Sequence, residues 1–171
     1  MNKDENLAYI DGQNLHLGTL NAEESWQIDL KRFRIYLGRK YNVKYAYYYL
    51  GFTNEALKPL YTKIQEAGFI LYFKPHHETL ASNKKGNVDT DLVFDIMETM
   101  YKNKGEFNKI VLVSGDGDYM KMVQFLINEN KFEKILFPDQ RKSSSLYKQI
   151  TRKYFDDLSK PDTKEKVSKN K

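Results

Sequence analysis

Residues 109–118 have the sequence KIVLVSGDGD, and this stretch decides the fold class. The apolar run at 109–113 is the most strand-like segment of the chain. It ends at once in the Ser-Gly-Asp-Gly-Asp turn of 114–118, and a helical pattern follows at 119–130. A buried strand that passes through a tight turn into a helix is the repeating unit of parallel α/β sheets.

The same alternation of strands and helices extends over most of the chain. The predicted strands lie at 7–10, 43–51, 69–73, 109–113 and 134–137. The predicted helices lie at 29–41, 55–67, 89–104, 119–130 and 146–153, with a short helix or loop at 14–20. We therefore predict an α/β fold, a three-layer α/β/α sandwich with a mainly parallel central sheet. Right-handed crossovers place the carboxyl ends of the strands at one edge of this sheet.

The composition is typical of one globular domain. The chain has 171 residues, of which 40% are hydrophobic and 30% are charged. It contains no cysteine, which excludes disulfides, thiolate metal sites and cysteine nucleophiles. No apolar run approaches the roughly 18 residues of a membrane span, and the first ten residues lack a secretory signal pattern. We therefore expect a cytoplasmic protein without a membrane partner.

The charge is modestly positive, with a formal net charge of +5 at pH 7. Such a balance permits a polyanionic partner but does not require one. The segment 159–171 contains five lysines and no aromatic residue. We expect one domain at 1–158, followed by a basic and disordered tail at 159–171.

Aspartates follow two predicted strands and begin one predicted helix. Asp11 comes directly after the first strand, and Asp116 and Asp118 come after the strand at 109–113. Asp89 and Asp91 stand at the start of a helix that begins at the same edge of the sheet. Two carboxylates about 4 Å apart repel by roughly 4 kcal/mol at an effective dielectric of about 20. A converging set would therefore need a cation, and oxygen ligands without cysteine suit Mg²⁺ or Mn²⁺.

The alternative is that each aspartate has only a structural role. Aspartate is common in turns after strands and as the capping residue at helix starts. Caps have no reason to converge on one edge of a sheet, however, so the joint placement favours a metal site of the kind that hydrolyses phosphodiesters.

Three motifs stand in a fixed order along the chain: YIDGQN at 9–14, KGNVDTDL at 85–92 and LVSGDGDY at 112–119. Together they resemble the NYN domain family, specifically its LabA-like branch, which is similar to the PIN-domain nucleases. The resemblance covers roughly residues 6–158. It implies a PIN-like α/β/α sandwich and ribonuclease activity that depends on Mg²⁺ or Mn²⁺.

The resemblance also implies roles for individual residues. Matched by motif, the metal ligands are Asp11, Asp89, Asp116 and Asp118, with Asp91 as the alternative to Asp89. Asn14 matches the asparagine after the first strand. It would hold a metal-bound water or the scissile phosphate, or else cap a helix.

Further residues are candidates for RNA contact. Ser114 would orient Asp116 by a hydrogen bond, or would simply fit the tight turn. Basic residues in loops at the same edge would neutralise RNA phosphates, or would simply be solvated: Lys84, Lys85, Arg141 and Lys142. The tyrosines of the second strand suggest base stacking. Period two places Tyr45, Tyr47 and Tyr49 on one face, and burial of a central strand favours core packing for them.

These observations lead to one functional prediction and one main alternative. We predict a metal-dependent endoribonuclease in which a metal-activated water attacks phosphorus in line. The alternative is an RNA-binding regulatory module of the same fold with little or no catalysis. A phosphatase of the haloacid dehalogenase type has little support, because its first-strand Asp-x-Asp pattern is absent at 11–13. Many PIN-like proteins are dimers, so a homodimer is expected alongside RNA as partner.

Overall fold

The structure is a computed structural model that describes residues 4–73 and 88–169, with side chains for all of these except Val88 and Asp89. Six strands form one sheet in the order β3-β2-β1-β4-β5-β6, and each neighbouring pair is parallel. The strands are β1 Asn6–Asp11, β2 Val43–Leu50, β3 Ile70–Phe73, β4 Ile110–Val113, β5 Phe132–Phe137 and β6 Phe155–Asp157.

Five helices of the described residues lie between these strands in the chain, and a sixth follows β6. They are α1 Gly12–Leu20, α2 Leu30–Tyr41, α3 Lys58–Glu66, α4 Val88–Asn103, α5 Met120–Asn128 and α6 Pro161–Val167. Short 3-10 turns lie at Glu55–Leu57, Gly117–Tyr119, Gln140–Lys142, Ser145–Gln149 and Arg152–Tyr154.

Two hydrophobic cores lie on opposite faces of the sheet. On one face, Ala8 and Ile10 of β1 pack with Phe33 and Leu37 of α2 and with Ile64 of α3. On the other face, the alternate residues of β1 and β4 pack against α4 and α5, as the second core shows: Leu7, Tyr9, Leu112, Leu92, Ile96, Val123 and Leu126. Since alternate strand residues point to opposite faces, the near-continuous apolar strands fill both cores. The predicted three-layer α/β/α sandwich is confirmed.

The strand order reverses between β1 and β4, which are direct neighbours. Leu7 pairs with Ile110, and Ile10 pairs with Val113. From this point β2 and β3 extend to one side and β5 and β6 to the other. Open α/β sheets bind ligands in the crevice beyond the carboxyl ends of the strands at such a reversal. The turns that follow β1 and β4 therefore lie where a ligand site is expected.

Gly12 allows α1 to begin directly against the end of β2. A Cβ atom at this position would lie 2.3 Å from Cε1 of Tyr48 and 2.6 Å from the carbonyl oxygen of Tyr49. The second of these atoms is backbone of a paired strand, so it cannot move without disturbing the sheet. Glycine is therefore required at the residue that follows Asp11.

We expect Gly12→Ala to lower the free energy of unfolding by about 1–3 kcal/mol, the usual effect of overpacking a filled site. Urea denaturation would measure this loss. Gly51→Ala is the matched control, because a Cβ atom at residue 51 meets nothing within 4 Å. Equal stabilities of the two variants would contradict the close approach of α1 to β2.

The segment after β5 differs from the sequence-based prediction. A helix was predicted at 146–153, but the chain forms two 3-10 turns and then the additional strand β6. Leu146 and Ile150 are four residues apart, a spacing that is typical of a helix, and the predicted helix is wrong. The residue that anchors the segment is instead Tyr147, which is 2% exposed and packs in the core.

The C-terminal segment also differs from the expectation of a disordered tail. Pro161 occupies the first turn of α6, a position where its missing N–H costs nothing. Val167 is fully buried, and Arg32 of α2 donates hydrogen bonds to the carbonyls of Glu165 and Ser168. The composition of this lysine-rich segment does not reveal its order. Val167 and Arg32, which belongs to a distant helix, hold α6 in place.

None of the helices in the described residues combines the length and apolar character that crossing a membrane requires.

Candidate active site

Asp11 joins the carboxyl ends of β1 and β4. It is 5% exposed and caps α1, since its Oδ1 accepts a hydrogen bond of 2.9 Å from the Asn14 N–H. Its Oδ2 accepts from the Tyr119 hydroxyl at 3.2 Å and has a longer contact of 3.5 Å with the Ser114 hydroxyl. Both partners of Oδ2 come from the segment after β4, so this buried carboxylate ties the two turns together.

Asp116 is held mainly through its backbone. Its N–H donates to Oγ of Ser114 at 3.1 Å, and its carbonyl oxygen accepts from the Tyr147 hydroxyl at 2.5 Å. Its carboxylate accepts one hydrogen bond, of 3.0 Å, from the Asp118 N–H, and so caps the 3-10 turn. The hydrogen bond predicted between Ser114 and Asp116 is present, and it involves the main chain of Asp116. The Asp118 side chain is exposed, and Asp116 rather than Asp118 is the capping residue.

Asn14 connects α1 to the turn after β4. Its side-chain oxygen accepts a hydrogen bond of 2.7 Å from the Gly115 N–H, and its own N–H is capped by Asp11. The asparagine therefore fixes the position of one aspartate turn relative to the other. The side-chain oxygen of Asn14 therefore has its partner, Gly115, in the turn on the other side of the site.

The segment from Ser143 to Tyr147 packs tightly against the Ser-Gly-Asp-Gly-Asp turn. The Ser144 N–H donates to the carbonyl of Gly115 at 2.9 Å. A Cβ atom at Gly117 would lie 2.4 Å from Oγ of Ser144 and 3.0 Å from Cδ1 of Leu146. Ser144 also caps its own 3-10 turn by accepting from the Leu146 N–H. The motif's second glycine is thus required by close packing against this segment.

The charges of the aspartates act on the same buried phenol. Burial raises the pKa of Tyr147, and the negative charges of Asp116, Asp118 and Asp11 raise it further. Tyr48, on the other face of the sheet, has its pKa raised by burial and by the charge of Asp11. Because electrostatic interactions of this kind act over short distances, the shifts indicate that three of the predicted site residues share one neighbourhood.

Helix α4 contributes two further carboxylates near this edge. Oδ2 of Asp91 is buried and has no hydrogen-bond partner among the described residues. One turn later, Oδ2 of Asp95 accepts a hydrogen bond of 2.6 Å from the Tyr49 hydroxyl. Tyr49 pairs in register with Asp11, so this hydrogen bond ties α4 to the strand next to β1. A buried carboxylate oxygen without a partner is costly and would gain from a bound cation.

No group of three or more His, Asp or Glu side chains within 4–73 and 88–169 is arranged to hold a metal ion. The side chain of Asp89 and the residues Lys84 and Lys85 lie outside those that the structure describes. The donors of the described aspartates are all carboxylate oxygens, which suit Mg²⁺ or Mn²⁺. Together with the Asp91 oxygen that lacks a partner within 4–73 and 88–169, this donor chemistry fits such an ion.

Arg141 and Lys142 are engaged with the protein itself. Arg141 donates to both carboxylate oxygens of Asp139, whose side chain is fully buried, and forms an ion pair with Glu23. Burial alone would raise the pKa of Asp139, but the hydrogen bonds from Arg141 lower it below its usual value. Lys142 donates to the carbonyl oxygen of Asn21. These contacts connect the turn after β5 to the end of α1.

Two residues that sequence reasoning missed are Tyr119 and Tyr147. Both are buried, and both direct a hydroxyl at the aspartate turns. A signal was available for Tyr119, because it follows the motif directly and a buried tyrosine needs a partner for its hydroxyl. Tyr147 has no such signal, because it lies outside the three motifs, 31 residues after its partner Asp116.

Comparison with known proteins agrees with this architecture. The NYN domain matches residues 7–158. A crystal structure of a protein of unknown function from Vibrio parahaemolyticus is similar, with a TM-score of 0.76 and 20% sequence identity over 98% of each chain. At that identity the likeness shows the fold, which is PIN-like. No curated protein matches the chain. The NYN family is generally nuclease-like. From the match over most of its length, the chain belongs to the NYN domain family.

Proposed function

We propose that this protein is a metal-dependent endoribonuclease of the LabA-like branch, which hydrolyses RNA phosphodiester bonds. The observation that carries the proposal is the junction of Asp11 and Asp116 at the reversal of strand order. There the hydroxyls of Tyr119 and Ser114 donate to Asp11, and the side-chain oxygen of Asn14 accepts from the Gly115 N–H, so the two aspartate turns are joined. Such preorganisation favours catalysis at this edge of the sheet, because the ligands of an ion must be held in place before substrate binds.

The residues that would hold Mg²⁺ or Mn²⁺ are Asp11, Asp116 and Asp118, with Asp89 or Asp91 from the start of α4. A bound ion would supply Lewis acidity towards a phosphoryl oxygen and a lowered pKa for water. The support is the oxygen-only donor set and the buried Oδ2 of Asp91, which has no partner in the part of the chain that the structure describes.

The protein's own residues prepare the carboxylates for this task. The hydroxyl of Tyr119 on Oδ2 and the Asn14 N–H on Oδ1 fix the rotamer of Asp11. A carboxylate has about four acceptor sites, and the described contacts of Asp116 use one of them. Asp116 is therefore well suited to direct ligation, whereas the geometry of Asp11 depends more on its protein partners.

Basic residues complete the proposal for RNA binding. We assign phosphate contacts to Lys84, Lys85 and Lys142, and a supporting role to Arg141, which holds Asp139 and Glu23. The ammonium of Lys142 has three donors, so it can contact a phosphate as well as the carbonyl oxygen of Asn21. Asn14 and Ser114 shape the turns under the scissile phosphate. The cytoplasmic location and a homodimer stay predictions from the sequence.

The second candidate is an RNA-binding regulatory module of the same fold. It is favoured by one observation, namely that the described side chains do not by themselves form a three-carboxylate metal group. Against it, a surface that only binds RNA gains nothing from several carboxylates that repel phosphate.

Cleavage of a labelled circular RNA by the purified protein tests the proposal, because only an endonuclease can open a circle. We expect multiple turnover with Mn²⁺ or Mg²⁺ at substoichiometric enzyme, and no cleavage when EDTA removes the ion. RNA binding without turnover under any divalent ion would support the regulatory module instead.

A further inference from the structure

Tyr72 of β3 is an exposed aromatic residue at the level of the candidate active site. The residue is 40% exposed. In the sheet register, Asp11 of β1 pairs with Tyr49 of β2, and Tyr49 pairs with Tyr72. The three residues therefore form one row across the carboxyl edge of the sheet, on the face that packs against α4.

The row fixes how far Tyr72 is from the catalytic edge. Neighbouring strands lie about 4.8 Å apart, so Tyr72 is two strand spacings, or about 10 Å, from Asp11. An RNA strand whose phosphate lies at the aspartate turns would reach this ring with an adjacent nucleotide. Tyr45 lies on the same face of the sheet but four residues before Tyr49. It is therefore about 13 Å further from the carboxyl edge along the strand.

The ring of Tyr72 is held in place by its neighbours. It stacks on Tyr49, with centroids 5.1 Å apart and an interplanar angle of 21°. Tyr47 packs edge-on against it, with centroids 5.8 Å apart. Tyr49 is itself fixed by its hydrogen bond to Asp95 of α4. A rigid aromatic ring loses little conformational freedom when a base stacks on it, which favours binding.

We propose that Tyr72 is a stacking platform for a nucleobase of single-stranded RNA next to the scissile phosphate. This inference rests on the proposed ribonuclease function and adds a substrate class to it. Base–aromatic stacking accepts any base and requires unpaired nucleotides, since the bases of a duplex already stack on each other. The enzyme would therefore prefer single-stranded RNA, with little sequence preference at this position.

The position of Tyr72 argues for RNA rather than a protein partner as the occupant. The exposed ring belongs to the row that begins at Asp11, so it lies within reach of a nucleotide next to a phosphate bound at the aspartate turns. The buried side of the ring contacts other tyrosines, which leaves a flat aromatic surface rather than an aliphatic groove.

Fluorescence of a short RNA carrying 2-aminopurine tests the platform, because stacking quenches this base. Binding is measured in EDTA, so that the result does not depend on cleavage. We expect Tyr72→Ala to weaken binding about tenfold and to lose most of the quenching. Tyr72→Phe retains the ring and should retain both. Tyr45→Ala is the matched control, since Tyr45 is 42% exposed, and it should bind within about twofold of wild type.

Three results would overturn the platform. Tyr72→Ala could bind and quench as wild type does, or Tyr72→Phe could lose as much as Tyr72→Ala, which would implicate the hydroxyl. A third is that Tyr72→Ala converts a dimer to a monomer by light scattering while RNA affinity stays unchanged, which would make this face a contact between copies. A wild type that binds RNA with quenching but never cleaves it would defeat the ribonuclease proposal and leave the platform standing.

Discussion

Asp116→Asn is expected to lower the rate of RNA cleavage about 10³-fold at saturating Mn²⁺. In our proposal Asp116 is a direct ligand, and a catalytic ion contributes several kcal/mol of transition-state stabilisation. Each 1.4 kcal/mol corresponds to a tenfold change in rate, so a loss of about 4 kcal/mol gives this factor. Asparagine is nearly isosteric and caps a turn as well as aspartate does. The change therefore removes charge while keeping the hydrogen bond from the Asp118 N–H.

The measurement is the single-turnover cleavage rate of a labelled single-stranded RNA. Asp162→Asn is the matched control, because Asp162 is an exposed aspartate of α6 and carries the same charge. It should cleave within about twofold of wild type, the range expected for a surface change. Full activity of Asp116→Asn would remove Asp116 from the proposed site, and an equal loss in Asp162→Asn would indicate a nonspecific effect of charge.

The central part of the fold was predictable from sequence because local patterns agree with tertiary packing there. The predicted strand at 109–113 agrees with the observed β4 to within one residue. A β-branched apolar run followed by glycines strongly indicates a strand that ends in a turn. Helix α2 was also predictable, because the residues at both of its ends favour helix termini. Asp29 caps its start, and Asn42 ends it with a left-handed backbone, φ 51°.

The supporting contacts of the site were not predictable, because they depend on partners far apart in the chain. Pairing Asn14 with Gly115 spans 101 residues, and pairing Tyr119 with Asp11 spans 108. Arg141 illustrates the same limit. Its charge suggested RNA contact, yet a buried aspartate two residues earlier and Glu23 from another loop engage it. Single-sequence patterns report period and turn chemistry, but not which side chains meet across the sheet.

Mn²⁺ is expected to stabilise the wild-type protein against heat. A ligand that binds only the folded state at about 100 times its dissociation constant adds about 2.7 kcal/mol to the free energy of unfolding. For a chain of this size, 1 kcal/mol shifts Tm by about 2–4 °C, so the expected rise is about 5–10 °C. Thermal denaturation at increasing Mn²⁺ concentration measures it, and Asp162→Asn should respond as wild type does.

The two site variants are expected to differ once the ion is removed. Metal-free Asp116→Asn should be no less stable than metal-free wild type, because the turn keeps its cap and one repelling charge is lost. Metal-free Asp11→Asn should lose about 1–3 kcal/mol. Oδ2 of Asp11 accepts hydroxyl hydrogen bonds from Tyr119 and Ser114 in a buried position, and an amide nitrogen there cannot accept them.

Comparing these stabilities separates the structural role of each aspartate from its proposed role in binding an ion. Both variants should lose most of the rise in Tm that Mn²⁺ causes. Only Asp11→Asn should also be less stable than wild type without metal. A wild type whose Tm ignores Mn²⁺ would argue that the carboxylates are caps and turn residues only. A full response in Asp116→Asn would place the ion elsewhere. The hydroxyls on Asp11 would then be sufficient reason for its burial, because they satisfy the carboxylate without any cation.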